Sequence, residues 1–239
     1  MSPWLLVVVA FFSSGATAVL GIGGGTLLVA VMPGLLPTAA IVPVHGVVQL
    51  ASNASRAYFA REYIAWSPVL PFALGALIGA TVGSQVVIEL PERWLPVLLG
   101  VFILAVTWLP LKKVRLPGRF ATLGAVQTFV SLFVGAAGPL VSPLLLREGY
   151  EHHRVVATHA TLMTLLHTLK ALTFAFLGFS YARWGLLLVV LVASVTAGSW
   201  VGNRLRHRLP QKPLRRGFRW LLTALALRLL VPPMVALVF

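Results

Sequence analysis

The sequence predicts an all-α integral membrane protein made of two inverted-topology repeats of about five hydrophobic segments each, with discontinuous or re-entrant short helices at the glycine breaks. Three observations predict it. Hydrophobic residues make up 59% of the 239 residues and charged residues only 10%, with a mean hydropathy of +0.93. A soluble domain carries roughly 25% charged residues to cover its surface, so lipid must cover most of this chain. The second observation is a pattern of apolar runs and glycine breaks that occurs twice. The third is that the basic residues gather between alternate apolar runs, as the positive-inside rule requires.

The apolar segments run in order over roughly 4–20, 25–36, 38–60, 66–88 and 94–111, then 120–135, 138–146, 155–178, 184–203 and 217–236. They define a first membrane repeat over 1–111, a basic cytoplasmic linker over 112–119 and a second membrane repeat over 120–239. The opening stretch, Met1 to Leu20, ends in Ala16-Thr17-Ala18 and so looks like a cleavable signal peptide. It has no basic leading region, continues straight into glycine-rich apolar sequence and has a counterpart in the second half. We therefore read it as retained. Matched positions carry the repeat. His45, Asn53 and Arg56 align with His159, His167 and Lys170 at an offset of 114, and Gly79 and Gly83 align with Gly198 and Gly202 at 119.

Charge sets the relative orientation of the halves. An odd number of segments per repeat inverts the second repeat, and alternating crossings then place fourteen basic residues on one side. They are Arg61, Lys112, Lys113, Arg115, Arg119, Arg147, Arg154 and the cluster Arg204, Arg206, Arg208, Lys212, Arg215, Arg216 and Arg219. The other side receives only Arg93 and Arg183. This asymmetry puts the basic loops in the cytoplasm and both termini outside. It also explains the net charge of +14 without nucleic acid, because the cations are dispersed among loops between long apolar runs. Cysteine is absent, so a disulfide framework or thiolate metal site is excluded. No cofactor and no metal are expected.

Two segments, 25–36 and 138–146, are too short for the roughly 20 residues that cross a bilayer core. Each follows a break, Gly21-Ile22-Gly23-Gly24-Gly25 or Gly135-Ala136-Ala137-Gly138-Pro139. Broken backbone at membrane depth must line a cavity or be buried in protein, and the start of a half-helix offers free N–H groups to an anion. Paired breaks of this kind point to a transporter's binding site. They nominate Gly23, Gly24, Gly25 and Thr26 in the first half, and Gly138, Pro139 and Leu140 in the second. By contrast, Gly75, Gly79 and Gly83, with Ser194, Gly198 and Gly202, read as close-packing seams between helices.

A polar stripe follows each break. His45, Gln49, Asn53 and Arg56 share one helical face, and so do His159, Met163, His167 and Lys170. A charge at membrane depth costs on the order of 2.5–3.5 kcal/mol, and neither stripe carries a carboxylate to offset it. The acids Glu62, Glu89, Glu92, Glu148 and Glu151 all fall at segment edges or in loops. Two cations without counter-ions call for an anion from outside. Arg56 and Lys170 would supply its countercharge, and Gln49, Asn53 and His167 would orient its oxygens. His45, His159 and His167 are candidates for proton coupling, because histidine titrates near neutrality. The competing readings are snorkelling for the cations and a satisfied core hydrogen bond for His45 and His159. His152 and His153 read as solvated, and Arg228 as a snorkelling or lipid contact.

These residues resemble the TauE/SafE sulfite exporter family of prokaryotic membrane transporters over essentially the whole chain. The resemblance rests on Gly21-x-Gly-Gly-Gly-Thr-Leu-Leu-Val and its weaker echo Gly135-Ala-Ala-Gly-Pro-Leu-Val-Ser-Pro. It is extended by the segments ending in Arg56 and Lys170, and by Trp66 and Trp184 opening a glycine-spaced helix. Ala30 and Pro139 depart from the family pattern. The resemblance implies transport of sulfite or a related sulfur oxyanion or organosulfonate across the plasma (inner) membrane. Alternating access is the expected mechanism, with proton coupling open, and with membrane lipid and a second copy in a homodimer as the other candidate partners. The alternatives are an anion channel and a non-transporting membrane assembly subunit. An enzyme is disfavoured: there is no Gly-x-Ser-x-Gly elbow and no acidic pair for metal or aspartyl chemistry.

Overall fold

The computed structural model describes residues 4–21, 23–87, 94–109, 118–135, 141–205 and 208–238. Within them the chain forms ten α-helices and no strand. The first half contributes α1 (Leu5–Leu20), α2 (Gly24–Val31), α3 (Thr38–Phe59), α4 (Val69–Val87) and α5 (Trp94–Trp108). The second half contributes α6 (Arg119–Val134), α7 (Val141–Arg147), α8 (His152–Phe176), α9 (Gly185–Leu205) and α10 (Gln211–Val238). Each helix falls on one of the ten predicted apolar segments.

Among the described residues, three stretches are long and apolar enough to cross a membrane: Val69–Val87, His152–Phe176 and Tyr181–Leu205, the last joining a short 3-10 turn to α9. α1, α5 and α6 are shorter apolar helices. The surface is inverted relative to a soluble protein. On α4, Leu70, Leu74, Leu77 and Ile78 are exposed, while the inner face is Phe72, Gly75, Ala76, Gly79, Ala80 and Gly83. Meanwhile Gln49, Asn53, Arg56, Gln127, His159 and Lys170 are buried. Apolar outside and polar inside is the arrangement expected where lipid is the solvent.

Helices pair across the two halves of the sequence. α4 packs along α6, α1 along α9, α3 along α8 and α5 along α10. Glycine permits the closest approaches. A Cβ at Gly75 or Gly79 would strike the carbonyl of Ala121 or Ala125 on α6. One at Gly198 or Gly202 would strike the carbonyl of Phe11 or Gly15 on α1. These are the predicted packing seams. Ser14 adds a polar tie between α1, α3 and α9: its hydroxyl lies 2.8 Å from Ser52 Oγ, 2.7 Å from Ser199 Oγ and 2.8 Å from the Val195 carbonyl.

Three local features differ from the sequence expectation. α10 starts at Gln211, so Lys212, Arg215, Arg216 and Arg219, expected in a basic loop, ride on its first turns. Their charge lowers the hydropathy of a stretch that still pairs its backbone as helix. His152 and His153 likewise open α8 rather than lying in a loop. Arg119 opens α6, and its Nη1 contacts both carboxylate oxygens of Glu148 at 2.7 Å on the surface. Most of the linker over 112–119 lies outside the described residues, as do Gly138, Pro139 and Leu140.

Candidate functional site

The first glycine break ends α1 and starts α2 within three residues. Gly21, at φ 84°, closes α1 with its N–H donating to the Thr17 carbonyl at 2.8 Å. Gly23, at φ 100°, caps α2, and its carbonyl accepts the first intrahelical bond from Leu27 N–H at 3.0 Å. Both angles lie in the left-handed region that glycine enters without penalty. The turn leaves the first N–H groups of α2 without intrahelical acceptors and aims them into the protein, because α2 is enclosed by α1, α3 and α10.

A small cavity of about 30 Å³ lies at that helix start. α2 contributes Gly23, Gly25 and Thr26, α3 contributes His45, Gln49, Asn53 and Arg56, and α8 contributes His159 and His167. Thus nine of the predicted site residues meet at one point. Gly24 and Lys170 do not line the cavity. Gly24 faces α1, where a Cβ would collide with the Ser13 carbonyl and Thr17 Oγ1. Two lining residues were not predicted, Thr17 and Met163. Met163 belongs to the α8 stripe by spacing. Thr17 stands one turn before the Gly21 break, which is the signal that could have found it.

Along α3 the stripe is wired to itself. Asn53 Nδ2 donates to the Gln49 carbonyl at 2.7 Å, and Asn53 Oδ1 accepts from Arg56 Nη2 at 2.6 Å. Arg56 Nε donates to the Ser52 carbonyl at 3.2 Å. The side chain is therefore turned back along its helix and buried, rather than snorkelling to the surface. Its third nitrogen, Nη1, is buried with no hydrogen-bond partner. His167 Nδ1 is in the same condition.

The second cation is held differently. Lys170 is fully buried, and its Nζ donates to the Gly135 carbonyl at 2.7 Å and lies 3.4 Å from His45 Nδ1. His45 Nε2 lies 2.9 Å from the Gly25 carbonyl. One tautomer serves both contacts: Nδ1 accepts from Lys170 while Nε2–H donates to Gly25. Lys170 thereby reaches the cavity through His45. Gly46 makes room for the lysine stem, since a Cβ there would lie 2.8 Å from Lys170 Cε. The His45 and His167 rings stand edge-on with centroids 6.0 Å apart.

Among the described residues, no carboxylate lines the cavity, and no group of three or more His, Cys, Asp or Glu side chains could hold a metal. A guanidinium nitrogen, free helix N–H groups and the amides of Gln49 and Asn53 form a donor-rich pocket. Its chemistry suits a small oxyanion.

The chain matches the family model described as sulfite exporter TauE/SafE over residues 6–229. It is 28% identical over 178 residues to a probable inner membrane transporter protein, TsaS of Comamonas testosteroni, covering 70% of this chain and 72% of that protein. No solved structure gives a significant match.

Proposed function

The chain belongs to the sulfite exporter TauE/SafE family of membrane transporters, and from that premise we propose that it carries a small sulfur oxyanion or organosulfonate, sulfite first, by alternating access. One observation carries the reading. Arg56 is buried in a cavity free of carboxylates, at the start of α2, with Nη1 lacking a partner. An ion in that position is expensive unless paired, and an anion would supply the pair. Thr26, Gln49, Asn53 and His167 would share its oxygens. Lys170 would act through His45 and raise the positive potential from behind. His45, His159 and His167 remain the candidates for proton linkage. In the second half, Gly138, Pro139 and Leu140 would provide the matching helix start.

The cavity supports a carrier over an open pore. At about 30 Å³ it holds a water or two, so an oxyanion enters only if the surrounding helices separate. Two inverted repeats would give that motion a basis. The helix seams support a two-fold repeat of either orientation: Gly79 abuts Ala125, and Gly198 abuts Phe11. Gly79 aligns with Gly198 at the offset 119, and Phe11 aligns with Ala125 at the offset 114. The repeat therefore exchanges one contact for the other.

Labelled-sulfite counterflow in proteoliposomes tests the assignment. Native protein should show saturable exchange. Arg56→Gln should weaken half-saturation about 10- to 100-fold, the equivalent of losing a charge-assisted hydrogen bond worth about 1.5–3 kcal/mol. Undiminished exchange in a folded Arg56→Gln protein would remove the site from this cavity. Absence of exchange by the native protein would remove sulfite and send the search to sulfonates.

A further inference from the structure

Beside the candidate site lies a second, larger cavity of about 180 Å³, between the start of α2, the end of α5 and the first turns of α10. It shares Gly23 and Thr26 with the smaller one. We propose that this cavity is an anion vestibule on the basic face of the protein, a second and weaker binding site from which a sulfonate or sulfur oxyanion passes to Arg56. The proposal rests on the carrier reading for its purpose, but its chemistry stands on its own residues.

Arg215 and Arg219 bring two cations into the lining, one helical turn apart on α10, and no carboxylate among the described residues accompanies them. Arg215 Nη2 is anchored by the Leu20 carbonyl at 3.3 Å, and the Arg219 guanidinium lies 5.2 Å from the Trp108 ring centroid. A carbonyl and an aromatic face fix the two side chains without cancelling their charge. Thr107 also lines the cavity, and its Oγ1 is buried with no hydrogen-bond partner. Two positioned cations and an unused hydroxyl form a donor set for an oxyanion.

The passage inward is narrow. Phe218 lines the vestibule, and its ring lies so close to Gly23 that a Cβ there would be 2.5 Å from Cε1. The ring stands at Gly23, one of the two residues the cavities share. Glycine at position 23 thus serves twice, as the left-handed cap of α2 and as the floor on which the Phe218 ring rests. Movement of α10 away from α2 would open the vestibule to the inner site.

Absence of native cysteine makes the test clean. Thr107→Cys, with Val106→Cys as a second reporter on the same wall, is placed in nanodiscs of zwitterionic lipid. Each is labelled with an anionic sulfonatoethyl or a cationic trimethylammonioethyl methanethiosulfonate. Rates are normalised to those of a free thiol in solution. The vestibule predicts that the anionic reagent is favoured about 10-fold or more, the lower end of the enhancement expected from a focused charge. Arg215→Gln together with Arg219→Gln should abolish that preference, and millimolar methanesulfonate should slow labelling. A ratio near one in both reporters, or failure of either to label, overturns the proposal. Protection by phosphatidylglycerol in the disc but not by methanesulfonate also overturns it, in favour of a lipid headgroup. Counterflow by the native chain is measured in parallel. Charge preference without sulfite counterflow removes sulfite from the carrier reading and keeps the vestibule, whereas counterflow without charge preference overturns the vestibule and keeps the carrier.

Discussion

Arg56 and Lys170 occupy matching places in the two halves, yet their charges are held in different ways. Lys170 Nζ is met by the Gly135 carbonyl and by His45, whereas Arg56 keeps one buried nitrogen without a partner. The two should therefore fail differently when substituted. Arg56→Gln removes a donor from the cavity and should act on half-saturation. Lys170→Gln removes the donor to His45 Nδ1 and should act mainly on maximal exchange rate, through the position of His45. Lys170→Arg should not rescue it, because Gly46 already abuts the lysine stem at Cε and the wider guanidinium fork has no room. Counterflow curves of the three variants check this. Equal loss of half-saturation in Lys170→Gln and Arg56→Gln would mean that both cations touch the substrate directly. This distinction was not legible in the sequence. The spacing of the stripe placed both cations on inward faces, but the Gly135 carbonyl that meets Lys170 lies 35 residues away, on another element.

At the scale of elements, glycine has two roles that composition alone does not separate. Gly79 sits where α4 meets the backbone of α6, and a Cβ would strike the Ala125 carbonyl. Gly217 lies on the exposed face of α10 with nothing within 4 Å of a Cβ. Gly79→Ala should cost about 1–3 kcal/mol, as overpacking does. Gly217→Ala should gain about 0.5–1 kcal/mol from helix propensity. Denaturant midpoints in detergent measure both, and opposite signs are expected. The four-residue spacing of Gly75, Gly79 and Gly83 was readable as a seam, because small residues recurring on one helical face let backbones approach. The first glycine break was readable for a local reason of its own, since left-handed φ angles at Gly21 and Gly23 are intrinsic to the turn. The start of α10 was not. Four cations in its first nine residues suppress the apolar signal, and only the tertiary structure brings Phe218 of that turn against Gly23.

For the molecule as a whole, the decisive question is whether the second half is inverted. Helix pairing alone does not fix the side of the membrane, but two corresponding loops do. Ser67, between α3 and α4, and Ser180, between α8 and α9, follow the helices that end the two polar stripes, and both are exposed. Parallel halves would put them on the same side of the membrane, and inverted halves on opposite sides. Charge favours the second arrangement: Arg61 lies near the first loop and belongs to the fourteen cations that the positive-inside rule assigns to one side, whereas Arg183 follows the second loop and falls on the sparsely charged side. Ser67→Cys and Ser180→Cys, each the sole thiol in its chain, should therefore differ in intact spheroplasts. An impermeant maleimide should label Ser180→Cys at once and Ser67→Cys only after lysis. Ser67 Oγ lies 2.9 Å from Tyr150 Oη, so labelling of the lysed sample is the needed proof that the thiol is reachable. Labelling of both before lysis would refute inversion. The carrier would then need a different source for its two access states, because a parallel pair would place both glycine breaks facing the same side.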